Sequence, residues 1–286
     1  MNLCDESTIR ALLERHGFHF SKSMGQNFLI DPEVPARIAA SSEADRSCGV
    51  LEIGPGIGPL TAELAQLAGK VVSVELDRSL LPILAETMAE HPNVEIVPGD
   101  VMKLDLNALI AEKFLGLRPI VCANLPYNIT TPVLTKFVET PAIETATVLI
   151  QKEVAQRLAA PQGSSDGGAF SLYLQYYMET SYLFDVPREK FLPSPKVTSA
   201  VLRCVRREKP AVEVADEAFF KVIKGAFLLR RKTLVNSLAA ALPGTDKAAI
   251  AEAIAACGLP PAVRGEALTL PDFAALSSAL AKAQKS

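Results

Sequence analysis

From Gly49 to Ile150, short apolar runs alternate with amphipathic stretches at a near-constant interval, and no other feature restricts the fold as much. Residues 50–53, 71–74, 94–97, 119–123 and 146–150 read as strands buried on both faces. Between them, residues 60–67, 80–88, 106–114 and 132–138 carry apolar side chains at helical spacing. Strands alternating with helices imply a parallel sheet with helices on both sides. A later run, residues 199–205, reads as an antiparallel strand at the end of that sheet. Upstream, Asp5 or Ser7 caps a short helix with Ile9, Leu12 and Leu13 on its apolar side, and Asp31-Pro32 opens a second.

The pattern changes after Arg206-Arg207-Glu208-Lys209-Pro210. Residues 217–229, 232–242, 247–257 and 272–282 read as helices, punctuated by Pro243-Gly244, Gly258-Leu259-Pro260-Pro261 and Pro271. Two domains are expected, an α/β domain over residues 1–205 and a small all-α domain over 206–286, with residues 161–168 (PQGSSDGG) as a flexible loop.

With 49% hydrophobic and 21% charged residues, the chain has the balance of a soluble enzyme, and no run approaches the roughly 18 apolar residues of a membrane span. The opening MNLCDESTIR lacks the apolar core of a secretory signal, so a cytoplasmic location is expected. Cys4, Cys48, Cys122, Cys204 and Cys257 lie far apart, and His16, His19 and His91 show no ligand spacing; buried thiols and no metal are expected. A net charge of −3 argues against nucleic acid only on average. Between Pro187 and Lys232 there are twelve Lys/Arg against five Asp/Glu, a local balance of +7, and phosphate contacts depend on such a local field.

Glu52-Ile53-Gly54-Pro55-Gly56-Ile57-Gly58 ends one strand and opens a helix, as a nucleotide-like cofactor requires. Glu75, 21 positions after Gly54, ends the next strand, where a carboxylate can accept from both ribose hydroxyls. A dinucleotide site wants glycine three positions after Gly56; Pro59 stands there, and Glu52 would repel a pyrophosphate. The positively charged sulfonium of S-adenosylmethionine suits these acids better. Asp100, after the third strand, adds a carboxylate that can accept from an adenine amine.

Asn124-Leu125-Pro126-Tyr127 follows the fourth strand. Adenine's exocyclic nitrogen is a poor nucleophile because its lone pair is delocalised into the ring. The Asn124 side-chain oxygen and a neighbouring main-chain carbonyl can accept the two amine hydrogens and free that pair. Pro126 stiffens the loop and Tyr127 offers a face for an extruded base, with Phe191, on the proline-rich loop Phe191-Leu192-Pro193-Ser194-Pro195-Lys196-Val197, as the second face.

These motifs in this order resemble, almost end to end, the KsgA/RsmA family of ribosomal RNA adenine dimethyltransferases; Gly25 to Leu29 (GQNFL), Val74 to Asp77 (VELD) and residues 227–238 (FLLRRKTLVNSL) complete the match. The resemblance implies a Rossmann-like methyltransferase fold with a mostly parallel seven-stranded sheet and a helical C-terminal RNA-binding domain. It implies S-adenosylmethionine held by Gln26, Asn27, Leu29, Gly54, Gly56, Glu75, Leu76, Asp100, Val101 and Asn124. It also implies dimethylation of two adjacent adenosines in the hairpin loop near the 3′ end of 16S ribosomal RNA. Lys22, Lys196, Arg230, Arg231 and Lys232 are the expected RNA contacts; the sequence leaves naked RNA or an assembling small subunit open as the substrate, the particle being expected, and nothing in it demands more than a monomer. Related enzymes acting on large-subunit RNA share the core motifs, but the proline-rich loop and the Arg230-Arg231-Lys232 tail look more like the small-subunit branch. The chain departs from the family at Gly167-Gly168-Ala169, where a tyrosine before glycine is common, so the order of that loop stays open. An assembly factor that merely retains the fold, or a DNA adenine methyltransferase, are the competing readings. Rescue of subunit maturation by a Glu75→Ala protein would favour the first, and methylation of duplex DNA the second.

Overall fold

The computed structural model describes residues 1–20, 25–214 and 216–283. In chain order the elements are α1 (Glu6–Arg15), β1 (Phe28–Leu29), α2 (Glu33–Ser41), β2 (Cys48–Ile53), α3 (Pro59–Leu67), β3 (Lys70–Glu75), α4 (Leu81–Thr87), β4 (Val94–Pro98), α5 (Leu106–Lys113), β5 (Arg118–Asn124), α6 (Thr130–Val138) and β6 (Thr145–Gln151). There follow α7 (Lys152–Ala159), α8 (Ala169–Tyr177), β7 (Met178–Val186), β8 (Phe191–Leu192), β9 (Ser199–Arg206), α9 (Asp216–Ala226), α10 (Leu234–Ala241), α11 (Lys247–Ala256) and α12 (Leu270–Ala283).

Seven strands form one sheet in the order β4-β3-β2-β5-β6-β9-β7. β4, β3, β2, β5 and β6 are mutually parallel, and β9 runs antiparallel to β6 with Val148 opposite Leu202. Successive side chains of a strand point to opposite faces. Val50, Val71, Ile120, Leu149 and Val201 join Ile38, Leu60 and Leu64 of α2 and α3 in one core layer. Leu51, Val72, Val121 and Val148, one position away, are at most 1% exposed, so the opposite face is covered too. The parallel sheet covered on both faces is what the strand rhythm predicts, and the seven-stranded Rossmann-like arrangement is what the family resemblance implies. Asp5 caps α1 through the Thr8 amide at 2.8 Å, and Asp31 receives the Glu33 amide at 2.9 Å at the start of α2. Cys4, Cys48, Cys122 and Cys204 are buried, and burial pushes the Cys4, Cys122 and Cys204 thiols up.

The chain divides into two compact units, Met1–Ala155 with Ser181–Arg206, and Gln156–Thr180 with Arg207–Ser286. The second is therefore not a simple C-terminal block. α8 belongs to it because Leu172 and Tyr176 are buried with Phe219, Ile223, Leu238 and Phe273 in one helical core. The helix expected over 217–229 stops at Ala226. There Ser237 Oγ donates to the Gly225 carbonyl at 2.7 Å and accepts from the Leu229 amide at 2.9 Å, turning the chain into α10. The loop over 161–168 is held to this unit: Gln162 Oε1 accepts from the Leu270 amide at 2.9 Å, and Arg230 donates to the Ser165 and Gly167 carbonyls at 3.0 and 3.3 Å. Among the described residues no helix is long and apolar enough to cross a membrane.

At the end of β9 the Arg206 guanidinium donates to the carbonyls of Ile143, Phe137, Val138 and Thr140 at 2.7 to 3.1 Å. It thus satisfies the C-terminal carbonyls of α6, where a cation is also favoured by the helix dipole. Arg206→Ala is expected to destabilise the protein by about 2–3 kcal/mol, read as a lower urea midpoint at unchanged slope. A midpoint equal to that of the wild type would refute this role.

Candidate active site

Parallel strands end together, and here their ends carry the polar residues. Along the sheet order, β4 leads into Gly99 and Asp100, β3 ends on Glu75, β2 leads into Gly54, and β5 ends on Asn124. From β2 the chain proceeds to β3 on one side, while β5 lies on the other. Loops diverge at such a point and leave a crevice. A cleft of about 190 Å³ lies there, lined by Glu75, Asp100, Asn124 and the glycine turn, together with Gln26, Asn27, Leu29, Leu76 and Val101.

The turn between β2 and α3 passes through Gly54 and Gly56 at φ 68° and 64°, a left-handed conformation that glycine adopts without strain. A Cβ at Gly56 would sit 3.1 Å from the Phe28 ring, which itself packs on Phe18 and Phe20. The bare main chain is therefore pressed against an aromatic cluster on one side and open to the cleft on the other. Such a cradle admits a nucleoside without side chains intervening.

Two carboxylates stand beside it. Glu75 is 6% exposed; burial pushes its carboxyl up to about 7, although the main-chain amides of Asp77, Gly56 and Leu76 pull it down. The Asp77 amide donates to Glu75 Oε1 at 2.7 Å. Glu52 is 1% exposed and accepts from both the Thr61 and the Ser73 hydroxyl at 2.6 Å. Burial likewise raises its carboxyl to about 7, against those two bonds and with a smaller push from Glu75. Glu52 thus braces α3 and β3 from beneath the turn, whereas Glu75 lies where ligand hydroxyls can reach it. A carboxylate so desolvated is stabilised by donors or positive charge, as the ribose and sulfonium of S-adenosylmethionine provide.

The segment after residue 24 crosses the cleft. Gln26 Nε2 donates to Asp77 Oδ2 at 2.7 Å on the β3 side, and the Asn27 carbonyl accepts from Asn124 Nδ2 at 3.4 Å on the β5 side. With its nitrogen committed to Asn27, the Asn124 amide has its oxygen at the other end. The Leu125 amide donates to the Leu149 carbonyl at 3.0 Å, and the Pro126 carbonyl accepts from the Ile129 amide at 3.2 Å, so the loop is held at both ends. Tyr127, half-buried, lines the cleft, and its hydroxyl lies 2.6 Å from Ser199 Oγ. On the far rim Asp100 Oδ1 accepts from the Met102 amide at 2.9 Å.

The family model of the ribosomal RNA adenine dimethylases matches residues 17–257. The chain belongs to the ribosomal RNA adenine dimethylase family. It is 46% identical to the ribosomal RNA small subunit methyltransferase A of Geobacillus sp. (strain WCH70) over 95% of each chain, and 48% identical to the enzyme of that name from Streptococcus gordonii over 98% of each. Among solved structures, the 23S rRNA methyltransferase ErmE is 29% identical, with a TM-score of 0.69 over 89% of this chain and all of that one. A dimethyladenosine transferase from Plasmodium falciparum shares the fold at 23% identity and a TM-score of 0.72.

Every residue that the family resemblance assigns to the cofactor lines this cleft. Phe191 does not. At 3% exposed, in a two-residue strand pairing Phe191 with Leu29, it is packed among core residues and offers no open ring face. The two-strand pairing explains why: β8 binds β1 and draws the ring inward. Lys196 is exposed on the loop that follows, while Lys22 lies outside the described residues. Arg230 is engaged with the 161–168 loop and lies 3.8 Å from Glu266, and so is not simply a solvated phosphate contact. Several other cations of the basic quarter are paired as well, Arg203 with Glu43, Lys190 with Asp31 and Arg207 with Glu179. The bond between Gln26 and Asp77, and any role for Ser199, are beyond what motif spacing can reveal, since each joins residues distant in sequence.

Glu52 and Glu75 ionise near 4.5 in an unfolded chain but near 7 in the fold, so the folded protein binds more protons between those values. Their contribution to stability is therefore full below about pH 4.5 and is lost as the pH rises towards about 7. Glu52→Gln keeps an acceptor for Thr61 and Ser73 but does not titrate. Relative to wild type, this variant is expected to gain about 2 kcal/mol between about pH 5.5 and about pH 8 in urea unfolding. A pH-independent difference between the two would contradict the burial argument.

Proposed function

We propose that this chain is a ribosomal RNA adenine dimethyltransferase that moves methyl groups from S-adenosylmethionine to the exocyclic amines of two adjacent adenosines in the 3′-terminal hairpin loop of 16S ribosomal RNA. The observation that carries the reading is the Asn124 amide, fixed through its nitrogen at the cleft that Glu75 and the glycine turn also line. Its oxygen and the Leu125 carbonyl accept the two amine hydrogens of adenine, so the nitrogen lone pair turns out of the ring plane. The Pro126 carbonyl is already taken by Ile129, which leaves Leu125 as the main-chain acceptor.

Bound S-adenosylmethionine supplies a methyl carbon activated by the sulfonium charge. Of the residues lining the cleft, Glu75 would accept from the ribose hydroxyls and Asp100 from the cofactor's adenine amine, with Leu76 and Val101 supplying apolar surface for that ring. Tyr127 offers its face to the substrate base, which must leave its stack to enter. The proton on the alkylated nitrogen becomes acidic and passes to solvent, so no strong base is needed. Phe191 packs in the core and pairs with Leu29, which lines the cleft.

Identity of 46 to 48% over nearly the whole chain with the small-subunit enzymes, against 29% with the 23S enzyme, supports 16S RNA as substrate. In this reading residues 1–155 and 181–206 are the methyltransferase domain, and the helical unit binds RNA. Lys196, Arg231 and Lys232 contact phosphates, and the protein acts as a cytoplasmic monomer, without metal, on an assembling small subunit.

Incubation with radiolabelled donor and undermethylated small subunits, followed by nucleoside identification, tests the assignment; label in any nucleoside other than N6-methylated adenosine would refute it. Asn124→Ala is expected to lower the rate by roughly a thousandfold or more while leaving the melting transition unchanged. Wild-type turnover in that variant would sink the mechanism. Replacing Arg231 and Lys232 with alanine is expected to weaken RNA binding and reduce the slope of log affinity against log salt by about 1 to 2. An unaltered slope would take both residues out of the RNA interface.

A further inference from the structure

β9 is the strand that reverses the sheet's direction, so its first residue, Ser199, emerges at the same rim as the ends of β5 and β6. Ser199 pairs with Gln151, and the Thr198 carbonyl just before it accepts from the Lys152 amide at 3.0 Å. The Ser199 side chain is 0% exposed, and among the described residues its hydroxyl meets one partner, the Tyr127 hydroxyl at 2.6 Å. That bond crosses β6 and joins the acceptor loop to the strand following the proline-rich loop. Tyr127 is therefore held twice, at its main chain in the turn that places the Ile129 amide on the Pro126 carbonyl, and at the far end of its ring. Two torsions orient a tyrosine ring, and fixing both ends removes the swing that would carry its face away from a stacked base.

We propose that Ser199 is a positioning residue for methyl transfer, its hydrogen bond to Tyr127 fixing the plane on which the extruded adenine stacks. The inference rests on the reading of Tyr127 as the stacking residue. Ser199 touches neither substrate nor donor; it acts through Tyr127. The loop leading into it carries exposed Lys196, so the element offered to RNA phosphate is continuous with the one that sets the ring.

The test compares full-length Ser199→Ala, Ser199→Thr, Tyr127→Phe, Tyr127→Ala and the Tyr127→Phe/Ser199→Ala pair on undermethylated small subunits, with S-adenosylhomocysteine titrated separately. Ser199→Ala and Tyr127→Phe are each expected to lower kcat/KM about five- to tenfold, with affinity for S-adenosylhomocysteine unchanged within about twofold. The pair should be no slower than either single variant, and Ser199→Thr should recover most of the loss. Multiplying effects in the pair, wild-type kinetics in Ser199→Ala, or equal losses of cofactor affinity would overturn the proposal. Should Ser199→Ala fail to fold, Tyr127→Phe removes the same bond without touching β9, and wild-type kinetics there would be equally fatal. Tyr127→Ala separates the two levels: at full rate it removes the stacking reading and this proposal together. If it is deeply impaired while Ser199→Ala is normal, only the role of Ser199 fails.

Discussion

The site depends on a constraint of parallel pairing: strands that run the same way must all finish at the same edge of the sheet. In this chain four neighbouring strands, β4, β3, β2 and β5, finish on or just before residues with polar or bare main-chain chemistry. The distance in sequence between Gly54 and Asn124 is thereby converted into proximity across one cleft. A parallel sheet is stable only with both faces covered, so the apolar strands that bring these ends together are also the core that holds them. Catalytic placement and burial are in this sense one demand on the same residues.

Burial gives the cleft its electrostatic character. Glu52 and Glu75 lie within the lining of one small space, yet they are satisfied differently. Two hydroxyls hold Glu52 in place and make it part of the frame, whereas Glu75 receives main-chain amides on one side and faces the cleft on the other. A carboxylate desolvated at the edge of a cleft favours a positively charged or hydroxyl-rich guest. Pro59 opens α3 where a dinucleotide-binding turn would carry glycine.

Much of this was legible in the sequence because it obeys short-range rules. The apolar runs at 50–53, 71–74 and 146–150 specify strands by composition alone, and the glycine turn announces itself by the positive φ it requires. What escaped depends on contacts between distant segments. β7 has an edge-strand pattern with few buried positions, and α8 (AFSLYLQYY) is so rich in aromatics that its helical period is hidden until Tyr176 is seen against Phe219. Phe191 stands in a motif that suggests an exposed ring, but a two-residue pairing with Leu29 turns it inward. Net charge misled in a similar way, since a count of basic residues cannot tell Arg206, which closes the end of α6, from Lys196, which is free to face solvent.

The discontinuous make-up of the helical unit has a consequence for how such proteins can change over time. Because Leu172 and Tyr176 lie within the helical core while their flanking strands belong to the sheet, that unit is woven into the chain rather than appended to it. Cutting after Arg206 would strip a helix from the severed piece and leave a stranded apolar surface on the remainder. Exchanging this unit as a cassette would therefore take two junctions, one on each side of residues 156–180, besides the one at Arg206.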